Sequence, residues 1–318
     1  IEKQEAPLKS SRSSGKYSQK HRLSHQSKAE WLAMSLIPLL FMFALSAAAD
    51  QPKYEIKQIK DNVYRFSTGS HHSAFMVTDE GIFVADPISD AAADYLTKEL
   101  EKRYKQPIKY LAYSHNHPDH ALGGYAYEEA GATTIAHEYA AEDIIATKLP
   151  TAAPELTFKD DMRVDLGESY VEMHYLGPNN GRGNISFRFM PANVMFVVDW
   201  VVIGRMPYKN LPGYDIQGMI HSTEELLDMP DFDVLIGGHA DIGKREDIER
   251  YLGYLNALYS AVRDGMLQGK SLKQLQNEIR LPEYSDLKMY DEWLALNIEG
   301  VYRTLNDMSY LSRRPDVR

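Results

Sequence analysis

The stretch "YSHNHPDHALGG", residues 113–124, decides how this chain is read. His115, His117, Asp119 and His120 crowd into six positions directly after an apolar run, "IKYLAYS". A lone histidine is ordinarily solvated or satisfied by one hydrogen bond. Three imidazoles and a carboxylate where a buried strand opens into a loop form a metal-binding pattern. In a loop the i and i+2 side chains can converge on one ion, while Asp119 and His120 turn towards a second. Imidazole and carboxylate donors suit Zn²⁺, with Fe and Mn as less favoured occupants.

Working outward, two further side chains share the same address. Asp199 follows the apolar run "VMFVV", and His239 follows "DVLIGG". A carboxylate or imidazole at the end of a buried strand is costly unless paired or ligated. All three pieces are therefore expected at one edge of a sheet assembly, where Asp199 can bridge two ions through its two oxygens. The rest of the chain after residue 50 reads as an α/β alternation. "NVYRFST", "SAFMVTD", "GIFVADP", "SYVEMHYLG", "NISFRFM" and "VMFVVDW" are strand candidates, and residues 89–104 form a helix capped by Ser89. Helices are expected over 246–264, 271–280 and 286–306, with Ser271 and Gln274 making a capping box.

The order HxHxDH, then a "LGP" loop, then strand–Asp, then strand–Gly–His resembles the metallo-β-lactamase fold superfamily over residues 54–245. The resemblance implies an αββα sandwich of two mixed sheets with helices on both outer faces. It also implies two metal positions at one edge: His115 and His117 on the first, Asp119, His120 and His239 on the second, Asp199 between them. One residue departs from the pattern. The loop after "LGP" normally delivers a third histidine to the first ion, and here "YLGPNNGRGNISF" places Asn180 there. An amide oxygen is a weaker zinc ligand than imidazole. One ion is therefore expected to be held tightly and the first position to be weak or absent. His174 lies inside a strand, whereas His72, in the apparent loop "STGSHHSAF", is a conceivable stand-in or substrate contact.

The resemblance implies a metal-dependent hydrolase, in which metal-activated water attacks a lactam, lactone, ester or thioester carbonyl, with Asp119 orienting the water or relaying its proton. Asn179, Asn180 and the backbone of 181–183 are candidate oxyanion donors, and Arg182 a candidate anion holder. The fold does not name the substrate, so β-lactam turnover is expected to be low or narrow if present. An iron-dependent oxidoreductase of the same fold, or a metal-binding protein with a degraded site, are the competing readings. The net charge of −10 argues against nucleic acid as a partner. The chain has no cysteine, so any metal is held by His, Asp, Glu or Asn. Residues 1–30 are polar and basic, and "WLAMSLIPLLFMFALSAAAD", residues 31–50, reads as a signal peptide cleaved after Ala49. An uncleaved anchor is the alternative, and Met34 an alternative start. A periplasmic or secreted protein with no stable membrane span after cleavage is expected, organised as leader (1–49), αββα domain (50–245) and C-terminal helices packed on it (246–318). Those helices are read as packing elements that add little chemistry.

Overall fold

The computed structural model describes residues 53–313; the leader and its cleavage site lie outside the described residues. The elements run β1 (Tyr54–Lys60), β2 (Val63–Thr68), β3 (His71–Thr78), β4 (Gly81–Ala85), α1 (Asp90–Arg103), β5 (Ile108–Ala112), α2 (Pro118–Ala121), α3 (Gly124–Glu129), β6 (Thr133–His137) and α4 (Glu138–Thr147). They continue with β7 (Leu156–Phe158), β8 (Asp161–Leu166), β9 (Ser169–His174), β10 (Ser186–Met190), β11 (Val194–Val197), α5 (Ile216–Asp228) and β12 (Val234–Gly237). The chain then closes with α6 (Arg245–Leu267), α7 (Leu272–Glu278) and α8 (Tyr290–Ser309).

Two sheets result. One carries seven strands in the order β1 to β7, an antiparallel meander that turns parallel from β4 onward. The other carries five, in the order β12-β11-β10-β9-β8, antiparallel except for the β11–β12 pair. The period-two alternation of side chains builds the layers. In β4, Phe83 and Ala85 face the second sheet and meet Phe187 and Phe189 of β10, while Ile82 and Val84 face α1 and α4. In β11, Val194 and Phe196 point into the inter-sheet core, while Met195 and Val197 pack under α5, α6 and α8. The architecture is the expected αββα sandwich.

The structure corrects several details. β1, β7 and β8 were not anticipated, nor was the Asp215 cap of α5, which accepts from Gly218 N at 3.0 Å. His71 and His72 open β3 instead of lying in a loop. The C-terminal helices share one core with β11 and β12. Among the described residues, no helix is long and apolar enough to cross a membrane.

Those helices also hold a loop. The segment from Trp200 to Tyr214 between β11 and α5 is tied to the C-terminal part at several points. Met206 N donates to Lys288 O at 3.1 Å, and Lys288 N to Gly204 O at 3.1 Å. The fully buried Asn297 of α8 donates to Pro207 O at 3.0 Å and Lys209 O at 2.6 Å, and accepts from Tyr254 Oη at 2.6 Å. Arg303 caps Asn210 O and Leu211 O. Gly300 lets α8 approach closely, since a Cβ there would stand 2.5 Å from Asn210 O.

Candidate metal centre

The ligand-type residues gather at the C-terminal ends of two parallel strand pairs, β4–β5 and β11–β12. Asp86 directly follows β4, His115 lies just beyond β5, Asp199 beyond β11 and His239 beyond β12. Asp86 and Asp199 adopt left-handed backbone, with φ of 66° and 71°. Such conformations are uncommon for non-glycine residues and persist where the surroundings impose them. Gly238 permits the approach of the two halves: a Cβ there would meet Val198 Cγ1 at 2.7 Å and His120 Cε1 at 3.2 Å.

Asp199 is at the centre, 6% exposed. Its Oδ2 lies 3.2 Å from His115 Nε2 and 3.8 Å from His117 Nδ1. Its Oδ1 lies 3.2 Å from His239 Nε2 and 3.5 Å from His120 Nε2. One carboxylate thus divides its oxygens between two pairs of imidazoles. Asp119 stands at the cavity mouth, half-exposed, with Oδ2 3.3 Å from His239 Nε2, 3.4 Å from His71 Nε2 and 4.0 Å from His120 Nε2.

The hydrogen bonds behind His115 and His239 fix their tautomers. The Asp86 carboxylate accepts from Ser114 N and Ser114 Oγ, both at 2.7 Å. The Ser114 proton being thus committed, its oxygen accepts from His115 Nδ1 at 2.8 Å, which leaves the His115 Nε2 lone pair facing Asp199. His239 Nδ1 donates to Ser70 O at 2.9 Å, since a carbonyl can only accept. His120 Nδ1 faces Asp86 Oδ2 at 3.2 Å. Three imidazoles therefore present Nε2 to the centre, the arrangement by which outer partners orient metal-binding histidines.

This donor set fits a cation. His120 Nε2 and His239 Nε2 face each other at 2.9 Å, and two lone pairs so placed repel unless a proton or cation lies between them. His115 Nε2 and Asp199 Oδ1 are buried without a hydrogen-bond partner. Donors around a tetrahedral Zn²⁺ stand about 3.3 Å apart, close to the separations seen here. Three groups each bring their ligand atoms within 4.8 Å of one another: His115, His117 and Asp199; His120, Asp199 and His239; His71, Asp119 and His239. The electrostatics agree. Burial disfavours charge on Asp199, yet the His120 charge and the closely packed His115 and His117 rings hold it well below the ordinary carboxylate range. Burial likewise opposes a charge on His120, but Asp199 and Asp86 outweigh it and attract positive charge to this ring. Burial pushes the His115 ring down, towards the neutral form that a ligand requires.

Three expected contacts are overturned. His72 is no ligand or cavity contact: successive residues of β3 point to opposite faces, and its Nδ1 pairs with Ser67 Oγ at 2.9 Å. Its neighbour His71 takes the cavity side, its ring 4.6 Å from that of His239. Asn180 is no weak ligand either. Its Nδ2 donates to Asp199 Oδ2 at 2.9 Å, and its Oδ1 is taken by Asn184 Nδ2. Because a carboxylate can only accept, the amide nitrogen must face Asp199. Arg182 turns away to Asp143 and Glu142, clamping the 177–184 loop to α4.

The sequence reading also missed Asp86, Ser114, Arg205 and Tyr214. Asp86 carried the signal used for Asp199, a carboxylate at the end of a buried strand; the others had no local signature. The centre opens into a cavity of about 430 Å³, lined by Ser70, His71, His117, Asp119, Asp199, Val202, Arg205, Tyr208, Pro212, Tyr214 and His239.

Comparisons with known proteins converge on this region. Residues 67–239, more than half of the chain, match the family model of the metallo-beta-lactamase superfamily. The chain is 22% identical over 259 residues to the 2,4-dinitroanisole O-demethylase subunit alpha of Nocardioides sp. (strain JS1661), covering 78% of each. Its fold is similar to a metallo-beta-lactamase from Pontibacter korlensis, at TM-score 0.58 and 20% identity, covering 64% of this chain and 99% of that one. The DIM-1 metallo-beta-lactamase is similar at TM-score 0.57 and 17% identity, covering 64% of this chain and 98% of that one. The matched span runs from the end of β2 to His239 and contains every residue of the centre, so the chain belongs to the metallo-β-lactamase superfamily.

Proposed function

We propose that the chain is a zinc-dependent hydrolase of small molecules, acting on a lactam, lactone, ester or thioester carbonyl. The observation that carries this reading is the set of three imidazoles that present Nε2 around a two-way carboxylate at the floor of a cavity. His120, His239 and Asp199 would hold the ion tightly, with His115 and His117 forming the weaker position. A divalent ion there supplies Lewis-acid polarisation and a water acidic enough to ionise near neutral pH. Asp119 then has a defined role. Burial would raise its pKa, but the His239 and His71 rings beside Oδ2 hold it far below the ordinary range, so Oδ2 is an acceptor at neutral pH. It orients the attacking water and carries a proton towards the leaving group. Burial keeps the Tyr214 phenol protonated, a neutral donor facing the cavity for charge developing on the substrate. The run at residues 31–49 supports export to the periplasm or beyond as part of the same reading.

A second reading rests on the similarity to a 2,4-dinitroanisole O-demethylase subunit. Hydrolysis of an electron-poor aryl methyl ether would need the same activated water, releasing methanol and a phenolate. The test is a turnover panel with zinc-loaded protein: penicillin, cephalosporin, carbapenem, lactone, thioester, aryl ester and 2,4-dinitroanisole. Hydrolysis of at least one carbonyl compound is expected, reduced about 10²-fold or more in Asp119→Asn with metal retained. Release of dinitrophenolate alone selects the second reading. No hydrolysis of any member, or purification with iron and a visible absorption band, overturns the zinc hydrolase.

A further inference from the structure

We propose that His71 is a metal ligand, which joins Asp119, His120 and His239 at the tightly held position near the cavity mouth. The proposal deepens the hydrolase reading by naming what holds its metal, and it rests on the centre but not on the reaction. Asp119 Oδ2 has three imidazole Nε2 atoms around it: His239 at 3.3 Å, His71 at 3.4 Å and His120 at 4.0 Å. His120 Nε2 and His239 Nε2 stand 2.9 Å apart, and the ligand atoms of His71, Asp119 and His239 all lie within 4.8 Å of one another. Donors of a tetrahedral Zn²⁺ stand about 3.3 Å apart, so three nitrogens and one oxygen with these separations fit one ion. Among the described residues neither His71 nor Asp119 makes a side-chain hydrogen bond, and each faces only other groups of the centre. A charge-assisted N–H···O bond is about 2.7–2.9 Å long. The 3.4 Å between His71 and Asp119 exceeds that and matches two ligands of one ion.

The backbone places this ring. Successive side chains of β3 alternate between its faces, which sends His71 to the cavity and His72 to Ser67. Two hydrogen bonds straddle His71: His239 Nδ1 donates to Ser70 O at 2.9 Å, and His72 N donates to Gly238 O at 2.8 Å. The start of β3 is thereby tied to Gly238 and His239, and the His71 and His239 rings meet edge-on at 4.6 Å. A ligand carried on a strand and anchored on both sides is held more precisely than one on a free loop. The two ends of the centre become unequal for one reason, the count of donors. Asn180 turns its amide nitrogen to Asp199 and gives the first position no ligand, whereas His71 adds an imidazole to the second.

The test reads ligation directly and needs no turnover. Protein with labelled imidazole nitrogens is loaded with one equivalent of Cd²⁺, and NMR counts the imidazoles whose nitrogen is coupled to the cadmium nucleus. Three coupled imidazoles are expected in the wild type, two in His71→Gln and three in His72→Gln, whose side chain lies on the other face of β3. Zinc affinity, read by chelator competition, should fall at least about tenfold in His71→Gln and stay unchanged in His72→Gln. Complete loss of cadmium in His71→Gln, with retention in His72→Gln and three coupled imidazoles in the wild type, supports the ligand as well. Two coupled imidazoles in the wild type overturn the proposal without recourse to any variant. So does an unchanged zinc affinity in His71→Gln. A lowered affinity with no coupled imidazole lost makes His71 a group that only orients Asp119, and overturns it too. The hydrolase reading survives each of these failures, whereas His71 coupled to cadmium in a protein that hydrolyses nothing would leave the ligand standing and sink only the hydrolase.

Discussion

Asn180→His separates the two ends of the centre. In the wild type Asn180 is fully buried, donates to Asp199 Oδ2 at 2.9 Å and accepts from Asn184. The substitution removes a hydrogen bond to an ionised group, worth about 1.5–3 kcal/mol, and deprives Asn184 of a buried acceptor, costing about 1 kcal/mol or more. The metal-free variant should therefore lose about 3 kcal/mol, a fall in Tm of about 6–9 °C for a domain of this size. With metal the sign reverses locally. A third imidazole would join His115, His117 and Asp199, whose ligand atoms already lie within 4.8 Å of one another. Loss of a partner that merely orients a ligand costs about 10–100-fold in metal affinity, so gain of a direct ligand should strengthen this position by at least that much. The assays are zinc stoichiometry after dialysis and Tm with and without metal. About one retained ion is expected in the wild type and close to two in the variant, with a larger metal-induced rise in Tm. Two tightly retained ions in the wild type, or an unchanged metal-free Tm in the variant, would refute the reasoning.

Other expectations follow from single contacts. Asp86→Asn suits the left-handed backbone at this position but turns an amide N–H₂ towards Ser114 or His120 Nδ1, disturbing the tautomers; zinc affinity, read by chelator competition, should fall about 10–100-fold, and an unchanged affinity would remove Asp86 from the centre. Burial lowers the His72 pKa from 6.5 to about 4. Between those values the unfolded chain binds a proton that the folded chain refuses, so stability is lost as pH falls. For metal-free protein the loss from pH 7 to 5 should be about 1–2 kcal/mol after solvent screening, and His72→Gln should flatten it in denaturant titrations; an identical slope in the variant contradicts the assignment. Asn297→Ala leaves Pro207 O, Lys209 O and Tyr254 Oη without their partner. It should cost about 2–4 kcal/mol and raise KM with zinc content unchanged; a normal KM would show that the loop holds its shape without α8.

What was legible in the sequence depended on how far each signal reached along the chain. The run from His115 to His120 carried its chemistry within six residues, and Asp199 and His239 announced themselves as polar residues ending apolar strands. Asp86 obeyed the same rule after "GIFVA", but one carboxylate beside a proline also reads as a turn. β1 and β8 alternate with period two in "YEIK" and "DMRVDL", and the charges that make half of each run polar, Glu55, Lys57, Asp161, Arg163 and Asp165, face solvent and guard the sheet edges against further pairing. The His71–His72 pair shows the cost of missing a strand: once both are placed in β3, period two assigns one to the cavity and the other to Ser67. Asn180 was visible as a departure, but its orientation is set by Asn184 and Asp199 together, and only the fold brings those acceptors and donors to one point. The far wall of the cavity lies beyond any local reading. Arg205 and Tyr214 sit in a loop whose shape is imposed by Asn297 and Arg303, some ninety residues further along the chain. A helix recognisable from its own periodicity says nothing about the carbonyls it will satisfy, and here those carbonyls belong to the wall that faces the substrate.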